Sequence, residues 1–190
     1  MVGLHLGHQP FLVGVEYSGT DGSPEMIDPE SSDFGPSRYG DSFADVYDEW
    51  YDDVSDAQAT AEFVDRFGEG QRVLELGVGT GRLSTPLAVS GHAVTGVDAS
   101  LLMLERFRGV EAPLISQPVG ADMSVLPFAD DSFDTVLVAT NTLFNLNESG
   151  DQQACFSECR RVLRLGGRLI VEAMVPAAPD PHLDLSLIHI

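Results

Sequence analysis

The stretch VLELGVGTGRLS, Val73 to Ser84, decides how this chain is read. A short apolar run ends at Leu76, three glycines follow at 77, 79 and 81, and a helical pattern opens behind them. That order describes a buried strand turning through a loop of bare backbone into a helix, so close approach of a ligand to the main chain is expected. The spacing is G-x-G-x-G. A dinucleotide fingerprint requires G-x-G-x-x-G, and Arg82 stands where its third glycine would be. A phosphate-cradling loop requires G-K-[ST], and the chain has no lysine.

Charge sharpens the reading of the loop. Glu75 precedes Gly77 by two residues, and a carboxylate about 5 Å from a pyrophosphate charge costs roughly 3 kcal/mol at an effective dielectric of about 20, whereas an ammonium there gains a similar gross amount. A ligand that is cationic at this end is favoured. Asp98 closes the next apolar run in VTGVDAS, where a carboxylate can accept from two ribose hydroxyls or cap the following helix. Farther on, GADMSVLPFADDSFDTVLVAT offers Asp122 as an acceptor for an adenine amine, with Met123 and Leu102 as apolar walls.

Outward from the loop, strand and helix patterns alternate. Strands are predicted over 72–76, 93–97, 114–118, 133–139 and 168–175. Helices are predicted over 56–67, 82–90, 100–107 and 151–164, the last stopped by Gly166 and Gly167. Alternation of this kind gives an α/β fold, a doubly wound parallel sheet with a ligand crevice at the strands' carboxyl ends. Upstream, Phe43, Val46, Tyr47, Trp50, Tyr51 and Val54 fall on one helical face behind Ser42 as N-cap, with acids on the other face read as solvated. Tyr47 and Tyr51 are candidates for a lid over the crevice.

The 190-residue chain carries 30 Asp and Glu against 10 Arg, net −20, and Asp21 to Asp56 alone contributes −11. Such a surface repels nucleic acid and anionic membranes, which points to a small-molecule partner. No apolar run reaches the roughly 18 residues that span a bilayer, and the start lacks a signal-peptide pattern, so a cytoplasmic protein is expected. Cys155 and Cys159 stand one helical turn apart and read as buried thiols. The five histidines show no ligand spacing, and no metal is expected.

These motifs resemble the class I S-adenosylmethionine-dependent methyltransferases. VLELGVGTGR is similar to that family's first motif, GVDAS to its ribose-binding motif, GADMSVLPF to its adenine-contacting segment, and FDTVLVATNTLFNL and LRLGGRLIVEA to its later ones. The resemblance implies a Rossmann-like sheet of order 3-2-1-4-5 with N-terminal helices, and S-adenosylmethionine as cofactor. It implies cofactor contacts at Glu75, Gly77, Val78, Gly79, Gly81, Asp98, Ala99, Asp122, Met123 and Thr140. Glu75 would answer the cofactor's ammonium group, and Asn141 would face the acceptor, though no catalytic residue is assigned firmly. The implied activity is methyl transfer to nitrogen or oxygen of a small molecule. An NAD(P)-dependent oxidoreductase and a non-catalytic cofactor-binding remnant are the alternatives.

The domain is expected over 39–181 with its core at 72–175, behind a disordered acidic leader at 1–38. The closing LSLIHI resembles one reading frame of a sequencing adapter, so 182–190 is expected to be non-native. The family's final antiparallel strands would then be missing, leaving the fifth strand as an uncovered, association-prone edge. Oligomeric state is not legible.

Overall fold

Two apolar runs that are buried on both faces, VLEL at 73–76 and FDTVLV at 133–138, lie side by side and form the centre of the molecule. In a computed structural model, which describes residues 35–51, 56–107 and 113–173, they belong to strands β1 (Arg72–Leu76) and β4 (Phe133–Val138). The other strands are β2 (Ala93–Asp98), β3 (Val119–Gly120) and β5 (Leu163–Val171). All pair in parallel, in the order β3-β2-β1-β4-β5, so the sheet is Rossmann-like as expected. The helices are α1 (Arg38–Phe43), α2 (Tyr47–Tyr51), α3 (Ala57–Phe67), α4 (Ser84–Val89), α5 (Leu101–Phe107) and α6 (Asp151–Val162), with a 3-10 turn at Thr142–Asn145. None of the described helices is long and apolar enough to cross a membrane.

Strand alternation sorts the core onto two faces. Leu74, Leu76, Val136 and Val138 pack with Cys155, Cys159 and Val162 of α6. Val73, Val94 and Leu137 pack with Ala61 and Val64 of α3 and Leu87 of α4. Both cysteines are free thiols inside the first cluster. Asp56 caps α3 by accepting from Ala59 N at 3.0 Å.

Three expectations about elements need correction. The single helix behind a Ser42 N-cap is two short helices, α1 and α2, with Ser42 inside the first. The two turns bind different parts of the sheet domain: Asp41 in α1 accepts from Ser100 Oγ, and Asp48 in α2 from Thr80 Oγ1. The strand expected at 114–118 touches the sheet there only at Ile115, beside Val94, and β3 proper is the two residues after Pro118, which lacks the N–H a continued ladder needs. The last helix ends at Val162 because Leu163 already pairs with Phe133, so Gly166 and Gly167 lie inside β5, where the register shifts, and do not cap the helix. Val54, the acidic leader up to residue 34 and the tail at 182–190 lie outside the described residues.

At the amino ends of the strands, Asp134 ties three segments together. Its carboxylate accepts from Arg72 Nη2 at 2.9 Å, from Arg164 Nε at 2.5 Å and from the backbone N–H groups of Gln71 and Arg72. The Arg72 hydrogen bond, assisted by these other donors, holds the Asp134 carboxyl well below the usual carboxylate range. A depressed folded-state value stabilises the fold above the unfolded-state value of about 3.9 and loses that stabilisation as pH falls through it. Asp134→Ala should therefore lower Tm at pH 7 by roughly 5–10 °C and flatten the loss of stability below about pH 4. Thermal melts of both proteins from pH 3 to pH 7 check this; parallel curves would contradict it.

Candidate active site

The crevice forms because β1 has β2 on one side and β4 on the other, so the loops after β1, β2 and β4 diverge from adjacent strand ends. The glycine loop is pinned to β2 by its first two amides, since Gly77 N and Val78 N both donate to Val97 O, at 2.8 and 2.9 Å. Gly77, Gly79 and Gly81 have φ of +70°, +55° and +88°, the left-handed region that favours glycine. At Gly77 a Cβ would also collide with the Thr142 side chain.

Asp98 ends β2 with both carboxylate oxygens engaged: Oδ2 accepts from Gly79 N and Oδ1 from Ser100 N, each at 2.8 Å. Burial raises its pKa, and these backbone donors oppose the rise. Beyond β4 the chain turns sharply, with Thr140 at φ +52° and Asn141 at φ +62°. Two consecutive non-glycine residues there store backbone strain. Arg82 Nη2 donates to Thr140 Oγ1 at 3.2 Å and so braces this turn against the glycine loop.

These loops and the N-terminal helices enclose a cavity of about 250 Å³. Gly77, Gly79, Asp98, Ala99, Met123, Thr140, Asn141, Tyr47 and Tyr51, all named from sequence, line it together. Tyr47 and Tyr51 stack with ring centroids 4.5 Å apart, and the Tyr51 hydroxyl lies 2.7 Å from that of Tyr39. Burial pushes the Tyr47 phenol up to about 12 and raises Tyr39 as well, so both stay protonated at neutral pH.

Four expected residues sit behind this wall. Glu75 shares the strand face of Val73, because side chains alternate, and is buried beneath α4 where Ser84 Oγ donates to it at 2.8 Å. Val78 packs against Leu104 and Phe107. Gly81 lies farther along the loop, and Asp122 folds back to accept from Ser124 N at 2.7 Å. Leu102 is half-exposed and does not line the cavity; its neighbour Met103, on the inner side of α5, does. Tyr39, Ala121, Thr142, Phe144 and Asn145 also line it and were missed. The NTLFN stretch after β4 carried the signal for the last three, since residues just past a strand end at the switch point face the crevice.

The family model described as a methyltransferase domain matches residues 74–171, just over half of the chain. The chain belongs to this methyltransferase family. A demethylmenaquinone methyltransferase of Corynebacterium kroppenstedtii is 39% identical over 111 residues, covering 58% of this chain and 45% of that protein. Among solved structures, the CcbJ methyltransferase from Streptomyces caelestis is 38% identical with a TM-score of 0.65, over 72% of this chain and 57% of that one. The glycopeptide N-methyltransferase MtfA, solved with S-adenosylmethionine, is 31% identical with a TM-score of 0.53, over 62% and 54% of the two chains. This chain spans 36–45% of the length of curated relatives such as the Corynebacterium protein.

The burial of Glu75 has a measurable signature. Loss of hydration raises its pKa to about 7, against the lowering effects of Ser84 and Arg82. With the folded-state value above the unfolded one, the stabilisation is complete below about pH 4.3 and is lost as pH rises towards 7, a span worth roughly 3 kcal/mol. Glu75→Gln keeps an acceptor for Ser84 without a charge to bury, so its stability should not show this fall. Urea titrations at pH 4.5 and 7.5 compare the two; equal pH dependence would contradict the assignment.

Proposed function

We propose that this chain binds S-adenosylmethionine in the cavity at the strands' carboxyl ends and transfers its methyl group to an amine or hydroxyl of a small molecule. The observation that carries the reading is the convergence of Gly77, Gly79, Asp98, Met123 and Thr140 on one cavity, in a chain of the methyltransferase family. The donor set fits the cofactor. A Cβ placed on Gly79 would lie 4.0 Å from the Tyr47 ring, in van der Waals contact, so bare backbone and an aromatic face stand close together at this edge of the cavity. Asp98 retains unused lone pairs for ribose hydroxyls, and Met103, Ala121 and Met123 supply apolar wall for a base. Glu75, behind the loop, supplies the negative charge that favours the cofactor's ammonium end.

The cofactor brings an electrophilic methyl on a sulfonium with a neutral leaving group. The protein's share is positioning and exclusion of water. Tyr39, Tyr47 and Tyr51 close one side of the cavity, and Asn141, held in its strained turn, presents an amide towards an acceptor. Tyr39 and Tyr47, which stay protonated, are poor bases, so the acceptor reacts as a neutral amine or loses its proton to solvent. A cytoplasmic setting with a small-molecule partner is part of the same proposal, supported by two free thiols in the core.

Isothermal titration with S-adenosylhomocysteine and NADH tests the reading, with binding expected for the first alone. Asp98→Ala should weaken S-adenosylhomocysteine roughly tenfold to a hundredfold, and Asp98→Asn less. Binding of NADH without S-adenosylhomocysteine would contradict the proposal. Cofactor binding without turnover across an acceptor panel would favour a non-catalytic role.

A further inference from the structure

The acids of α1, α2 and the turn between them are not simply a solvated face. Asp41, Asp45 and Asp48 each reach a different part of the sheet domain. Ser100 Oγ donates to Asp41 at 2.6 Å, Arg106 donates to Asp45, and Thr80 Oγ1 donates to Asp48 at 2.5 Å. The third contact differs from the others in where it lands. Thr80 is buried in the glycine loop between Gly79 and Gly81, and Asp48 directly follows Tyr47, whose ring covers Gly79. One hydrogen bond to a carboxylate thus joins the segment that covers the cavity to the loop that floors it, across 32 residues of sequence.

We propose that Asp48 is a positioning residue that sets how long a ligand stays in the cofactor site, by holding Tyr47 and Tyr51 closed over the glycine loop through Thr80. The proposal rests on the functional reading above. A ligand in the cavity bordered by Gly79, Tyr47 and Tyr51 leaves when the tyrosine segment lifts from the glycine loop, and lifting it separates Asp48 from Thr80. Asp41 of α1 and Asp45 of the turn between α1 and α2 anchor this segment to Ser100 and α5, outside the glycine loop. Loss of either loosens the hinge side of the cover, whereas loss of Asp48 frees its closing edge.

Trp50, the chain's one tryptophan, lies two residues past Asp48 on α2 and is 54% exposed, so its fluorescence reports on this segment. The test is stopped-flow release of S-adenosylhomocysteine from the wild type, Asp48→Ala, Thr80→Val and the double variant, followed by Trp50 fluorescence. Each single variant should speed release roughly five- to tenfold, and the double variant no further, because both remove the same contact. Thr80→Ser, which keeps the hydroxyl, and Asp48→Asn, which keeps an acceptor, should restore most of the slow release. A purely structural role would instead lower Tm and leave release unchanged. Multiplying effects in the double variant, or unchanged release in Asp48→Ala, would overturn the proposal alone. Absence of S-adenosylhomocysteine binding by the wild type would overturn it together with the functional reading.

Discussion

One carbonyl organises the site. Val97 O, near the end of β2, accepts from both Gly77 N and Val78 N, and the glycine loop can therefore leave β1 only by folding across the end of β2. That geometry carries Gly79 to the Asp98 carboxylate and turns the loop beneath Tyr47. It also brings Gly77 against Thr142, so the turn after β4 is seated on the same loop. The parallel register of β1 with β2 and with β4 sets all three strand ends at one level, and side chains from distant sequence positions meet without a long connection between them.

Much of this was legible because it depends on local rules. Apolar runs at 72–76, between Gly70 and Gly77, and at 133–139 identified the two central strands, burial on both faces being characteristic of parallel sheets. The glycine spacing, and an acid ending the second strand, marked the crevice. What was not legible depended on facing and on partners. Glu75 reads as a crevice residue by its distance from Gly77, yet strand alternation turns it beneath α4 towards Ser84. Asp41 and Asp48 read as solvated because a helical pattern shows which side is polar without showing what lies opposite. Their partners, Ser100 and Thr80, are 59 and 32 residues away. The same tertiary bonds divide into α1 and α2 what the periodicity presents as one helix. Nor does the sequence show that Arg72 and Arg164, 62 and 30 residues from Asp134, converge on it.

The distribution of charge bears on chemistry as well as on fold. Among the described residues lining the cavity, Asp98 is the one that carries a formal charge, and the phenols of Tyr39 and Tyr47 stay neutral. An environment that is negative at the cofactor end and uncharged at the Asn141 and Phe144 end suits a cationic donor beside a neutral acceptor. Burial of Glu75 fits the same scheme: a carboxyl poised near neutrality behind the glycine loop gains most from a positive neighbour, which would offset the hydration it has lost.

The central claim, that these loops form one cofactor site, is tested most directly by mapping backbone amide shifts by NMR as S-adenosylhomocysteine is added. The account predicts changes concentrated at Gly77 to Gly81, Asp98 to Ser100, Ala121 to Ser124 and Thr140 to Thr142, with Tyr47 and Tyr51 following. The amides around Asp134, at the opposite end of the sheet, should remain still. Saturable shifts centred away from the glycine loop, or shifts at one of these loops without the others, would contradict it.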